Sequence, residues 1–297
     1  MHKTVLLNET INGLDLKPNT VVFDGTLGAG GHSEEIFKRF GSKIKIIATD
    51  RDSEAINQAT AKICKNSCDF QAFLSDYRKI DFVLEKVGVK NVNGIILDLG
   101  LSSDQIDSSG RGFSFKNNEP LLMTFSNGGG EEQITAKIIL NSWGEETLAD
   151  ILYGYSDEKY SRKIAKGITE ARNRKPIETT SDLVEIIKRA VPASYEKGKI
   201  HFATKTFQAI RMAVNDEVEA LKEGLRKSIE VLVEGGRIAV ISFHSTEDRI
   251  VKDTFREWQK NDLGKMINKK PITPSEEEIE ENPRSRSAKL RIFKKND

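Results

Sequence analysis

An acid followed by a run of glycines, Asp24-Gly25-Thr26-Leu27-Gly28-Ala29-Gly30-Gly31, is the first stretch of this chain suited to holding a small molecule. Glycines let the backbone approach a ligand where a Cβ would clash. Asp50 stands twenty residues after Gly30, the spacing at which a carboxylate accepts hydrogen bonds from a ribose diol. A third acid, Asp98, closes the apolar run Gly94-Ile95-Ile96-Leu97, where open α/β sheets bind their ligands. Neither G-x-G-x-x-G nor G-x-x-x-x-G-K-[ST] is present, so no pyrophosphate or triphosphate cradle is predicted. Ribose acceptors and backbone polar groups without a phosphate loop suit S-adenosylmethionine (SAM). Plainer readings stay open here. The turn also serves as a tight strand–helix connection, and Asp98 as a cap on the turn that follows it.

The elements that must position these acids alternate. Strands are predicted at Val21–Asp24, Ile44–Ala48 and, weakly, Phe70–Leu74, then at Gly94–Leu99, with helices over about Ser33–Phe40 and Ser53–Cys64. That order implies a parallel, doubly wound α/β sheet. Residues 101–130 are rich in Ser, Gly and Asn, and a helical region punctuated by Pro176 and Pro192 runs from about 134 to 200. Apolar residues from Phe207 to Leu232 recur every three or four positions, which predicts one long helix stopped by Gly235-Gly236. A fifth strand, Arg237–Phe243, and a late antiparallel edge strand, Ser287–Phe293, complete the sheet. The reading is a sheet domain over residues 1–107 and 206–297, interrupted by a mainly helical module over 108–205.

Composition narrows the class. With 37% hydrophobic and 31% charged residues, the chain can build a core and is not expected to be disordered. Forty-six basic against 45 acidic residues leave no overall field for a polyanion, so any basic surface must be local. Residues 155–205 supply one: 12 Lys or Arg against 7 Asp or Glu, densest at Arg172-Asn173-Arg174-Lys175. Such a run either positions a phosphate backbone or is a solvated helical face. Arg111, Phe113 and Phe115 either stack on an extruded base or pack in a core. Cys64 and Cys68 read as structural, and the scattered histidines His2, His32, His201 and His244 predict no metal site. No apolar run reaches the roughly 18 residues of a membrane span. A soluble, cytoplasmic protein is expected.

Longer motifs carry a resemblance. They are His2-Lys3-Thr4-Val5-Leu6-Leu7-Asn8-Glu9, the stretch from Asp24 to Ser33, Asp50-Arg51-Asp52 and Leu97-Asp98-Leu99-Gly100-Leu101-Ser102-Ser103. Arg111-Gly112-Phe113-Ser114-Phe115, Ala203 to Arg211, Ile241 to Lys252 and Asn282 to Ser287 follow in order. Together they resemble the bacterial methyltransferases that modify N4 of a decoding-centre cytosine in 16S ribosomal RNA. The resemblance covers nearly the whole chain. It implies a Rossmann-like SAM-dependent methyltransferase fold with an inserted helical domain that helps hold RNA. It implies SAM contacts at Gly30, Gly31, His32, Asp50, Tyr77, Asp98 and Gln105, with 16S RNA within the small subunit as partner and a homodimer as an allowed assembly.

Departures from the family pattern concentrate at Leu122-Met123-Thr124-Phe125-Ser126, where two acids and an arginine are missing; Phe202 replaces a proline and Lys205 an arginine. Cytosine N4 is a poor nucleophile, because its lone pair is delocalised into the ring. It needs in-line positioning and an acceptor for its proton. Asp98, or a backbone carbonyl within Leu99–Ser103, is the candidate acceptor. Arg111, Phe113, Arg172, Arg174 and Lys175 are the candidate RNA contacts. The competing function is a catalytically weakened RNA-binding assembly factor. A nicotinamide-dependent dehydrogenase lacks its glycine fingerprint here.

Overall fold

The computed structural model describes residues 3–63, 69–101, 106, 109–126, 133–198 and 200–297. Its backbone is organised by a seven-stranded sheet of order β3-β2-β1-β4-β5-β7-β6. The strands are β1 (Thr20–Asp24), β2 (Ile44–Asp50), β3 (Phe70–Leu74), β4 (Val92–Asp98), β5 (Leu232–Ser242), β6 (Gly264–Met266) and β7 (Lys289–Lys295). The first five pair in parallel, while β7 runs antiparallel to both β5 and β6.

Alternation along the strands builds two cores. Phe23, Ile47, Ile95 and Val240 face one side, and Val22, Ile46, Ile96 and Ile241 the other. Helix α1 (Leu7–Leu14) and α2 (Gly31–Phe40) bring Ile11, Leu14 and Ile36 to the second face. Both faces are covered, which is why the strands read as continuous apolar runs. Each fully buried large side chain contributes about 1.5–3 kcal/mol. Further helices of the sheet unit include α3 (Ser53–Ile63) and α4 (Ile80–Lys86).

The chain divides into two compact units, residues 1–100 with 219–297 and residues 101–218. Relative to the boundaries read from sequence, the second unit gains 101–107 and 206–218. The cause is packing. Within that unit, helices α5 (Ala136–Ser142), α6 (Glu145–Ser156), α7 (Ser161–Arg172), α8 (Thr180–Ala190) and α9 (Ala193–Glu196) precede α10 (Thr204–Asn215). Phe207, Ala209 and Ile210 of α10 share one core with Leu148, Leu152, Ile164 and Leu183.

The expected long helix from Phe207 to Leu232 is two helices, α10 and α11 (Glu217–Val231). Asp216 takes a left-handed backbone (φ 53°) and its amide closes on the Met212 carbonyl, ending α10. Asp tolerates that conformation better than most residues. Gly235-Gly236 does not stop a helix. Both lie inside β5, where Gly235 has φ 71° and the pairing with β4 shifts register. β7 is not an edge strand, because β6 pairs along its free side.

Candidate functional site

Asp24, Asp50 and Asp98 each end a strand, β1, β2 and β4. The parallel register places those ends together, with Asp24 beside Ala48 and Ile96. The glycine turn is bonded to the neighbouring strands. Gly25 donates its amide to the Ile96 carbonyl (2.9 Å) and Leu27 to that of Thr49 (3.0 Å). The Asp98 amide donates to Thr26 Oγ1 at 2.6 Å.

The three carboxylates do different work. Asp24 is buried; its Oδ2 accepts from Ser33 Oγ at 2.7 Å and its Oδ1 from the Thr26 amide at 3.3 Å. Burial pushes its carboxyl up to about 6, against the pull of those two bonds, and the charge of Asp50 adds to the rise. Asp50 accepts from the Gly28 amide (2.8 Å) and the Asp52 amide (2.9 Å). Burial raises its carboxyl all the same. Asp98 differs from both. Its side chain keeps 24% exposure, yet Oδ1 is buried and has no hydrogen-bond partner among the described residues. Desolvation, with Asp24 and Glu247 close by, pushes its carboxyl well up. An orphaned buried acceptor is costly unless a ligand donor completes it.

The glycines divide their labour. A Cβ on Gly30 would lie 2.9 Å from Ala59 Cβ and 3.0 Å from Ile63 Cδ1, so this position lets α2 pack on α3. A Cβ on Gly31 would fall 1.7 Å from Thr4 Oγ1, so that glycine admits the N-terminal segment. Gly28, at φ 49°, has nothing nearer than the Thr26 carbonyl at 4.0 Å and is the open glycine of the turn. His32 is buried, with Nδ1 3.9 Å from Asp98 Oδ2. The ring of Tyr77 lies against Gly224 of α11, and its Cβ crowds Gly25. Gln105 lies outside the described residues, as do Ser102, Ser103, Cys64 and Cys68.

Glu247 and His244 join the site without having been singled out beyond their motif. His244 caps α12 (Ser245–Lys260), accepting from the Glu247 amide, and Glu247 Oε2 accepts from the Phe243 amide at 2.9 Å. The readable signal is the three-residue spacing between a helix-capping His244 and Glu247, straight after a strand.

The inserted unit places its candidates unevenly. Arg111 is buried, and its Nη1 donates to the carbonyls of Thr124 (3.0 Å) and Phe125 (2.7 Å). Phe113 is in the core, with the Arg111 guanidinium over its ring. Base stacking and core packing were both open for these residues; Arg111 turns inward to carbonyls of the 123–125 backbone and Phe113 packs in the core. Asn215 completes that clasp, donating to the Met123 carbonyl and accepting from the Phe125 amide. Within the segment that departs from the family pattern, Met123 and Thr124 are therefore buried, while Leu122 is exposed and Phe125 and Ser126 are half-buried. Arg172 donates through Nη1 to the carbonyls of Leu140 (3.0 Å) and Trp143 (2.6 Å), at the C-terminal end of α5. Arg174 and Lys175 are exposed.

The site suits a cationic, ribose-bearing cofactor: a carboxylate cluster, an open glycine and an orphaned acceptor at strand ends. The model of a family described as the MraW methylase family matches residues 1–296. The ribosomal RNA small subunit methyltransferase H of Clostridium botulinum (strain Kyoto / Type A2) is 44% identical over 309 residues, covering 99% of this chain and 98% of its own. Among solved structures, an rRNA methylase from Streptococcus thermophilus aligns with 100% of this chain and 99% of its own at 10% identity and a TM-score of 0.46. NSun6 from Pyrococcus horikoshii with SFG aligns with 99% of this chain and 53% of its own at 13% identity and a TM-score of 0.47.

Proposed function

This chain belongs to the MraW methylase family and is a SAM-dependent methyltransferase; from that premise we propose that it methylates N4 of a decoding-centre cytosine in 16S ribosomal RNA, at the small ribosomal subunit in the cytoplasm. Among the described residues, no helix is long and apolar enough to cross a membrane. The observation that carries the reading is Asp98 Oδ1, buried at the end of β4 with no hydrogen-bond partner among the described residues.

SAM supplies an electrophilic methyl group on a sulfonium. Asp50 would hold the ribose hydroxyls with its remaining lone pairs, and Gly28 would let the backbone approach. By the family resemblance, His32, Tyr77, Gln105 and the backbone at Gly30-Gly31 would supply the remaining cofactor contacts. Asp98 accepts an N–H of the cytosine amino group, which favours the pyramidal nitrogen that transfer requires. Its raised basicity then suits it to take the proton. Arg174 and Lys175 meet RNA phosphates, while Arg172 holds the helix end that presents them. The chemistry requires no thiol, since N4 rather than a ring carbon is the nucleophile.

The test is nucleoside mass spectrometry of 16S RNA from a strain lacking this chain, with and without the chain restored. N4-methylated cytidine should disappear and return. An unchanged level in the deletion overturns the assignment.

A further inference from the structure

A second basic surface lies on the inserted unit, at the end of α7 opposite Arg174 and Lys175. The helix has 12 residues, so the two groups sit about 18 Å apart along it. Its centre is a fully buried acid. Glu158 accepts from the Tyr160 amide at 2.9 Å through Oε1 and from the Tyr195 hydroxyl at 2.8 Å through Oε2. One carboxylate thereby fixes two partly exposed tyrosines, whose rings meet edge to face with centroids 4.8 Å apart. A buried carboxylate is costly unless it is hydrogen-bonded. Here both bonds go to setting the position of this ring pair.

Lysines cover the rings. Lys159 Nζ is 5.2 Å from the Tyr160 centroid and 5.0 Å from that of Tyr195; Lys163 Nζ is 6.0 Å from Tyr160. Both lysines and Arg162 are exposed, and none of the three has a carboxylate ion-pair partner among the described residues. The first turn of α7 holds no acid, so these cations stand where a helix is already positive. Uncompensated cations over pre-set aromatic rings match an RNA strand, whose phosphates take the charge and whose unpaired bases stack. A protein partner of ordinary surface would leave the charge unmet.

We propose that Lys159, Lys163, Tyr160 and Tyr195, set in place by Glu158, form an RNA-gripping surface that binds phosphates with the lysines and an unpaired base with the tyrosines. This rests on the reading of the chain as an enzyme of ribosomal RNA. It adds the place on the inserted unit where RNA is held.

The experiment measures binding of purified 16S RNA across a salt series for the wild type, Lys159→Gln/Lys163→Gln and Lys159→Arg/Lys163→Arg. Circular dichroism and SAM calorimetry check that each variant is folded. The glutamine pair should bind about tenfold more weakly at low salt, with a slope of log K against log salt shallower by about 1–2. The arginine pair should keep the wild-type slope, because charge rather than shape carries the effect. An unchanged slope in the glutamine pair, or an equal loss in both pairs, overturns the proposal. The readout needs no methylation. A reduced slope alongside absent N4-methylcytidine would sink the enzymatic reading and leave this surface standing.

Discussion

At the strand ends of the sheet, acids are held below the surface, and their carboxyls are lifted by burial and by one another. In the inserted unit the notable charges are cations, and they divide into two kinds. Arg111 and Arg172 spend their guanidinium groups on backbone carbonyls. Arg174, Lys175, Lys159 and Lys163 face solvent. The contrast teaches that charge marks function only together with its unmet partners. Asp98 Oδ1 is buried with no hydrogen-bond partner among the described residues, which makes it the candidate to meet a donor from outside the chain. Arg111 Nη1, in contrast, already meets the carbonyls of Thr124 and Phe125.

The largest expected effect is at Asp98. Asp98→Asn keeps the shape and one acceptor oxygen but loses the basicity. Single-turnover methylation of small subunits should slow by about 100-fold or more, with SAM affinity by calorimetry changed far less. Equal losses in both would make Asp98 a cofactor ligand only and move the proton acceptor to the following loop.

Arg111 sharpens the other side. Arg111→Ala removes two charge-assisted hydrogen bonds and strands buried carbonyls, at about 3 kcal/mol of stability. Urea unfolding should show that loss, while the salt slope of RNA binding stays at the wild-type value. Full stability with a shallower slope would instead place Arg111 on the RNA.

The smallest effect is a pH dependence at Asp24. Its folded carboxyl titrates at about 6 against 3.8 when unfolded, so ionisation opposes folding. The penalty is absent below about pH 3.8, grows as pH rises to about 6, and is complete above that, at roughly 3 kcal/mol. Asp24→Asn should therefore stabilise the protein by about 2 kcal/mol above pH 6, after allowing for a weaker bond to Ser33, and by nothing at pH 4. A gain that does not vary with pH would mean that Asp24 titrates alike in the folded and unfolded protein.

The strand ends were legible because their chemistry and their backbone requirements coincide. A parallel strand buried on both faces reads as an apolar run, and an acid at its end has no packing reason to be there. The individual glycines were less legible. Gly30 and Gly31 answer to Ala59 and Thr4, contacts distant in sequence, and the open position is Gly28. The break at Asp216 was hidden because apolar residues keep their helical spacing on both sides of one left-handed residue. β6 has three residues and no pattern of its own. Least legible was the fate of the arginines, since Arg172 and Arg174 sit in one run and only the position of the α5 carbonyls separates them.

The most direct measurement uses SAM carrying an isotopically labelled methyl group, this protein, and small ribosomal subunits from a strain that lacks it. After a single turnover, the 16S nucleosides are resolved by mass spectrometry. The account predicts the label on the exocyclic nitrogen of cytidine, at about one per subunit, and its near absence with Asp98→Asn. Label on a ring carbon or on a ribose oxygen, or none on 16S RNA while SAM still binds, would contradict it.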